Sequence, residues 1–160
     1  MSRINDIFKT LRSENARALM PFIVGGYPGL DATEMIISGL DDAGASIAEI
    51  GFPFSDPIAD GPVIAAAMHE TLCNGTTIDA LLSTITRARP RTKAGLIAMV
   101  SESIVHRRGG PAFVQQVADA GFDGLIIPDI DLAAADELLP TIDACDLAFA
   151  MLVAPTTTMQ

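Results

Sequence analysis

Residues 46–67 read SIAEIGFPFSDPIADGPVIAAA: a short apolar run broken by one acid, a loop set by prolines, then small residues suited to a helix. In a strand over 46–51 the side chains alternate, so Ile47, Glu49 and Gly51 share one face while Ala48 and Ile50 share the other. A run apolar on both faces belongs to a parallel sheet covered by helices. An acid two residues from the C-terminal end of such a strand is costly as plain structure. In parallel α/β folds, however, active sites lie at that end. Glu49 is therefore a candidate catalytic acid or base. The alternative is a Glu held by a buried Arg or Lys, and the strands offer few basic residues for it.

The loop after it contains Pro53, Pro57 and Pro62, which lower the entropy lost on ordering. Asp56 and Asp60 stand on either side of residues 57–59. Turn chemistry accounts for Asp56 equally well, and Asp60 before Gly61-Pro62 could cap the helix that starts there. A carboxylate returning over the mouth of the strand would bring two acids to one pocket. That pair suits general acid–base work on a neutral or cationic centre.

Outward from this stretch the same alternation continues. Helical spacing predicts an opening helix over 4–13, and PFIVGG (21–26) predicts the first strand, ended by a Gly-Tyr-Pro-Gly turn. Asp31 is expected to cap a helix over 32–43 that stops at Gly44. Helices follow over 63–73 and from Thr77 to Arg89, with Pro90 closing the second. AGLIAMV (94–100) is the third strand, and Pro111 opens a helix to Ala120. A fourth strand is expected over 124–128, a helix over 132–143, and a fifth strand over 147–154. Every crossover is long enough for a right-handed parallel connection. Two architectures fit: an open doubly wound sheet, or a (β/α)8 barrel of which the chain holds the first five units. No GxGxxG follows the first strand, which weakens a dinucleotide-binding sheet.

The chain has 160 residues and reads as a single domain over 1–160. Its net charge of -10 argues against nucleic acid, since phosphate contacts need clustered Lys and Arg. His106-Arg107-Arg108 is too short a basic run to change that and reads as a solvated edge. No run approaches the ~18 apolar residues of a membrane span, and the charged N-terminus lacks the apolar core of a secretory signal. A soluble, cytoplasmic protein is the expectation. Cys73 and Cys145 read as buried free thiols outside any metal-ligand spacing, and His69 suggests no nucleophile dyad. Asp129 and Asp131 read as helix caps rather than metal ligands.

The stretch 48–67 resembles the signature of the tryptophan synthase α subunit family. PFIVGGYPG (21–29), CNGTT (73–77), GFDGLIIPD (121–129) and LVAPTT (152–157) match it in order and spacing. The resemblance implies a (β/α)8 barrel and a lyase that cleaves indole-3-glycerol phosphate by a retro-aldol reaction. It implies that Glu49 protonates the indole ring and helps deprotonate the glycerol hydroxyl. Asp60 would accept a hydrogen bond from the indole N–H, and Phe22 would line the apolar pocket. Pro53, Asp56 and Pro57 would meet the β subunit of an α2β2-type complex. The pyridoxal phosphate belongs to that partner, so the α subunit is expected to need no cofactor or metal. Two segments depart from the family pattern. Val100-Ser101-Glu102-Ser103 replaces an aromatic and an Asn beside the pocket, with Glu102 read as a loop residue, and Asp131 adds a second acid after the fourth strand.

A barrel of this type takes about 250 residues. The expectation is thus a fragment or truncated product that carries the catalytic carboxylates without the phosphate-binding loops. A non-catalytic remnant, or a binding module that keeps the partner-docking loop, is the alternative.

Overall fold

The computed structural model describes residues 2–57, 60–153, 155 and 157. Its strands are β1 (Phe22–Val24), β2 (Ile47–Gly51), β3 (Gly95–Met99), β4 (Gly124–Ile126) and β5 (Ala148–Ala150). They form one sheet in the order β1-β2-β3-β4-β5, and every pairing is parallel. A doubly wound sheet reverses strand order at a switch point. Here the order simply follows the chain, which selects the barrel alternative.

The helices agree. They are α1 (Arg3–Ser13), α2 (Leu30–Ser38), α3 (Pro62–Cys73), α4 (Ile78–Ala88), α5 (Glu102–Arg107), α6 (Pro111–Ala120) and α7 (Leu132–Ala144). The α4 face Leu81, Leu82, Ile85 and Ala88 repeats helically and is buried. Phe113, Val114, Val117 and Ala120 repeat it on α6. Both faces join Ala48, Ile50, Leu96, Ala98, Leu125 and Ile127 in the main core, on the sheet face away from Glu49. Phe52 sits fully buried there, edge-on to Phe113 with centroids 6.0 Å apart.

The other face is the concave one. Ile47, Ile97 and Ile126 line it and pack with Ile4 of α1. Gly95 leaves room for that contact, since a Cβ there would come within 2.5 Å of Ile4 Cδ1. α1 thus closes the N-terminal end of the strands and leaves their C-terminal ends open.

Several boundaries move. α2 begins at Leu30, with Asp31 in its first turn rather than at the cap, and ends at Gly39. Residues 39–44 continue as turns, and the left-handed glycine is Gly44, where the sequence placed the stop. Pro90 closes α4 as expected, within a 3₁₀ turn at Arg89–Arg91. Strands β1, β4 and β5 are shorter than the apolar runs that contain them, because ladder pairing ends before the apolar residues do. Of the fifth predicted strand, position 154 lies outside the described residues. Glu102 lies on α5, not in a loop, and is half-buried. The thiols are not buried: Cys73 is exposed and Cys145 half-exposed. Among the described residues no helix is long and apolar enough to cross a membrane.

Candidate active site

Register places Phe22, Glu49, Ile97, Gly124 and Ala148 in one row across the sheet. Val24, Gly51, Met99, Ile126 and Ala150 form the row nearer the C-terminal ends. Glu49 is half-buried between Phe22 and Ile97. Among the described residues its carboxylate has no hydrogen-bond or ion-pair partner. No Arg or Lys among the described residues reaches it, so none of them holds it as a buried ion pair. Phe22 folds over Gly51: a Cβ at Gly51 would lie 2.5 Å from Phe22 Cζ. The glycine therefore lets the Phe22 ring lie across the strand that carries Glu49.

Above this row opens a cleft of about 470 Å³. Gly51 and Met99 form its floor, with Phe52, Phe54 and Met68 as apolar wall. The loop after β2 contributes Asp56, Pro57 and Asp60, the segments after the strands contribute Val100, Ser101, Pro128, Asp129 and Leu152, and α5 contributes Ser103. Glu49 and Phe22 sit one row beneath this floor rather than in the cleft wall. A second hollow of about 420 Å³ lies beside α1, lined by Arg12 and Arg17 but no acid, so it lacks the groups for proton transfer.

Asp60 is exposed on the rim and does not cap α3; Gly61 holds the cap position without a side-chain bond. Its backbone N–H donates to the Pro57 carbonyl at 3.2 Å, closing a turn across the loop. Asp56 accepts a hydrogen bond from Ser55 Oγ at 2.7 Å. Pro53 is buried within the chain, whereas Asp56 is exposed and Pro57 half-exposed.

Opposite Asp60 the cleft wall is tied across two loops by Asp129. Its carboxylate accepts from Ser101 Oγ and from the Glu102 backbone N–H, both at 2.8 Å. Asp129 thus caps α5, on a different loop from its own. Asp131 caps its own helix, accepting from Ala134 N–H at 2.8 Å. Sequence spacing anticipated the Asp131 cap. The Asp129 clamp was missed because its partners lie 27 and 28 residues away. Among the described residues no group of three His, Cys, Asp or Glu could hold a metal ion.

The family model described as tryptophan synthase alpha chain matches residues 8–160. This chain belongs to the tryptophan synthase alpha chain family. It is 41% identical over 157 residues to the tryptophan synthase alpha chain of Cyanothece sp., covering 98% of this chain and 59% of that protein. With the protein of the same name from Rippkaea orientalis it shares 39% over 160 residues, covering 100% of this chain and 60% of that one. Among solved structures it superposes on tryptophan synthase from M. tuberculosis, in the aminoacrylate-bound form, with a TM-score of 0.91 and 33% identity. That match covers 99% of this chain and 64% of the other. On the tryptophan synthase subunit alpha of Legionella pneumophila the TM-score is 0.92 at 31% identity, covering 99% and 61%.

The chain spans about 60% of the length of these tryptophan synthase alpha relatives. Its fold is the (β/α)8 barrel type, represented by the first five βα units. In a tryptophan synthase alpha barrel the concave face carrying Glu49 is the barrel interior, and the cleft is its C-terminal mouth.

Proposed function

We propose that this chain carries the proton-transfer half of an indole-3-glycerol phosphate lyase, active in a barrel of its relatives' full length. One observation carries this reading: Glu49 stands on the concave sheet face without a partner among the described residues, beneath a cleft whose rim holds Asp60. The cleft has apolar walls and presents Asp56, Asp60 and Asp129 with no Lys or Arg. Such a mouth favours an aromatic ring that becomes cationic and disfavours a phosphate. The phosphate end of the substrate then belongs to barrel strands beyond the five described.

Glu49 would give its proton to the ring carbon that bears the glycerol side chain. The cation formed is stabilised by Asp60, which accepts the indole N–H. A carboxylate then takes the proton of the adjacent glycerol hydroxyl, and the carbon–carbon bond breaks. Its electron pair returns to the ring, releasing indole and glyceraldehyde 3-phosphate. Phe22 would support the ring from the row of Glu49. No step requires a cofactor or metal from this chain. Asp56 and Pro57, with Pro53 shaping the loop from within, would face a β subunit that consumes the indole. A cytoplasmic α2β2-type assembly follows from that partnership.

Indole release from indole-3-glycerol phosphate tests the reading in a protein that also carries the remaining barrel strands. Glu49→Gln should lower kcat by about 10²-fold or more, with Asp60→Asn close behind. Unchanged turnover in Glu49→Gln would sink the assignment. A second reading rests on the 60% span: the 160-residue polypeptide alone docks a β subunit without catalysing. Calorimetric binding to that subunit with no indole formed would support it.

A further inference from the structure

A pair of soft donors stands on α3, away from the cleft. His69 and Cys73 are four residues apart on its solvent face, and both are exposed. Cys73 Sγ lies 3.4 Å from His69 Nε2. The opposite face of α3, with Ala67, Met68 and Thr71, is buried, so the helix holds the pair outward. The sequence placed Cys73 outside any Cys/His ligand spacing; on a helix, however, residues four apart are neighbours, and the structure brings His69 and Cys73 together.

We propose that His69 and Cys73 form a bidentate site for a borderline-soft divalent cation of the Zn²⁺ class. With Zn–S about 2.3 Å and Zn–N about 2.0–2.1 Å, a tetrahedral centre holds its sulfur and nitrogen roughly 3.5 Å apart. The donors already stand at this separation, and a tilt of the imidazole turns its lone pair from the sulfur to a shared ion. The thiol proton leaves to solvent as the metal–sulfur bond forms, and the neutral imidazole gives its Nε2 lone pair. Among the described residues no third His, Cys, Asp or Glu joins the pair, so this chain supplies two donors only. Water, or the same pair from a second copy, completes four-coordination. The net charge of -10 favours cation binding.

The probe is Co²⁺ added to the reduced, chelator-stripped 160-residue protein, read by the thiolate-to-cobalt charge-transfer band. Zn²⁺ should then bleach the band by displacement. Cys73→Ser should abolish it, and His69→Ala should weaken Co²⁺ binding about tenfold or more. Cys145→Ser should leave it intact. Saturation at one metal per chain, or one per two chains, both support the donor pair. A band absent from the parent protein, or persisting in Cys73→Ser, overturns the site and leaves a simple S–H···N hydrogen bond. Both side chains are exposed, so the variants keep the fold, which far-ultraviolet circular dichroism checks.

Discussion

Gly51 decides more than its size suggests. Its missing Cβ is the space the Phe22 ring occupies, and the atom it would meet, Cζ at 2.5 Å, is the far end of a half-exposed side chain. Such an end can swing away. Gly51→Ala should therefore cost only about 1 kcal/mol in urea unfolding, as modest overpacking does. The Phe22 ring should be displaced, visible as shifted ring resonances by NMR. If stability and ring resonances both stay unchanged, the ring does not rest on Gly51. Glu49 stands beside this contact, on the same sheet face. Its carboxylate is flanked by Phe22 and Ile97 and has no donor among the described residues, which supports the proposed role of Glu49.

At the scale of elements, acids do much of the fastening between neighbouring units. Asp41, in the turn after α2, accepts from Thr92 Oγ1 at 2.5 Å, Lys93 N–H at 2.8 Å and Ala94 N–H at 3.1 Å. It thus pins the chain leaving α2 to the start of β3. Partial burial pushes its carboxyl pKa up. The Thr92 hydroxyl, the Lys93 and Ala94 N–H groups and the Lys93 charge together outweigh burial and hold it below the usual value. A depressed folded pKa adds stability above the unfolded value of ~3.9, which is lost as pH falls through the folded one. Asp41→Ala should thus be about 1 kcal/mol less stable than the parent at pH 6–7. The gap should narrow below roughly pH 4. A gap in the urea midpoint that stays constant down to acid pH would show that the Asp41 charge plays no part.

Asp123 does the same work between β3 and β4. It accepts from Arg3, Arg89 and the Leu96 N–H at 2.9–3.0 Å. Burial pushes the Arg89 pKa down, and the Asp123 charge opposes that shift. These fasteners explain why element types were legible in the sequence while some boundaries were not. Periodicity marks which residues face the core, as on α4 and α6. Where a helix stops depends on partners such as Thr92 for the Asp41 turn, 51 residues away. The short α5 was invisible for the same reason: residues 102–107 span fewer than two turns, and their cap, Asp129, comes from another loop.

For the whole molecule, the sheet has two open sides among the described residues: β1 pairs only with β2, and β5 only with β4. Beyond β5 run Met151, Leu152 and Val153, all exposed, with Val153 82% exposed. An unpaired apolar edge templates association. The 160-residue polypeptide made alone should self-associate with concentration in sedimentation velocity. Val153→Lys should shift it toward monomer. A monomer at every concentration would mean the edges are shielded in another way.

By itself the sequence determined the parallel βα order, the apolar strand faces, the family and the candidacy of Glu49 and Asp60. Each is a matter of local periodicity or of a long contiguous motif. Periodicity alone left barrel and open sheet both standing; the family motif implied the barrel, and the strand order β1-β2-β3-β4-β5, a relation among segments tens of residues apart, shows it. The tertiary structure alone placed Phe22 over Gly51 and left Glu49 without a partner among the described residues. It also made Asp129 a clamp and set Cys73 beside His69 at the surface. Those outcomes depend on which side chains meet in space, and a chain read in one dimension does not fix that.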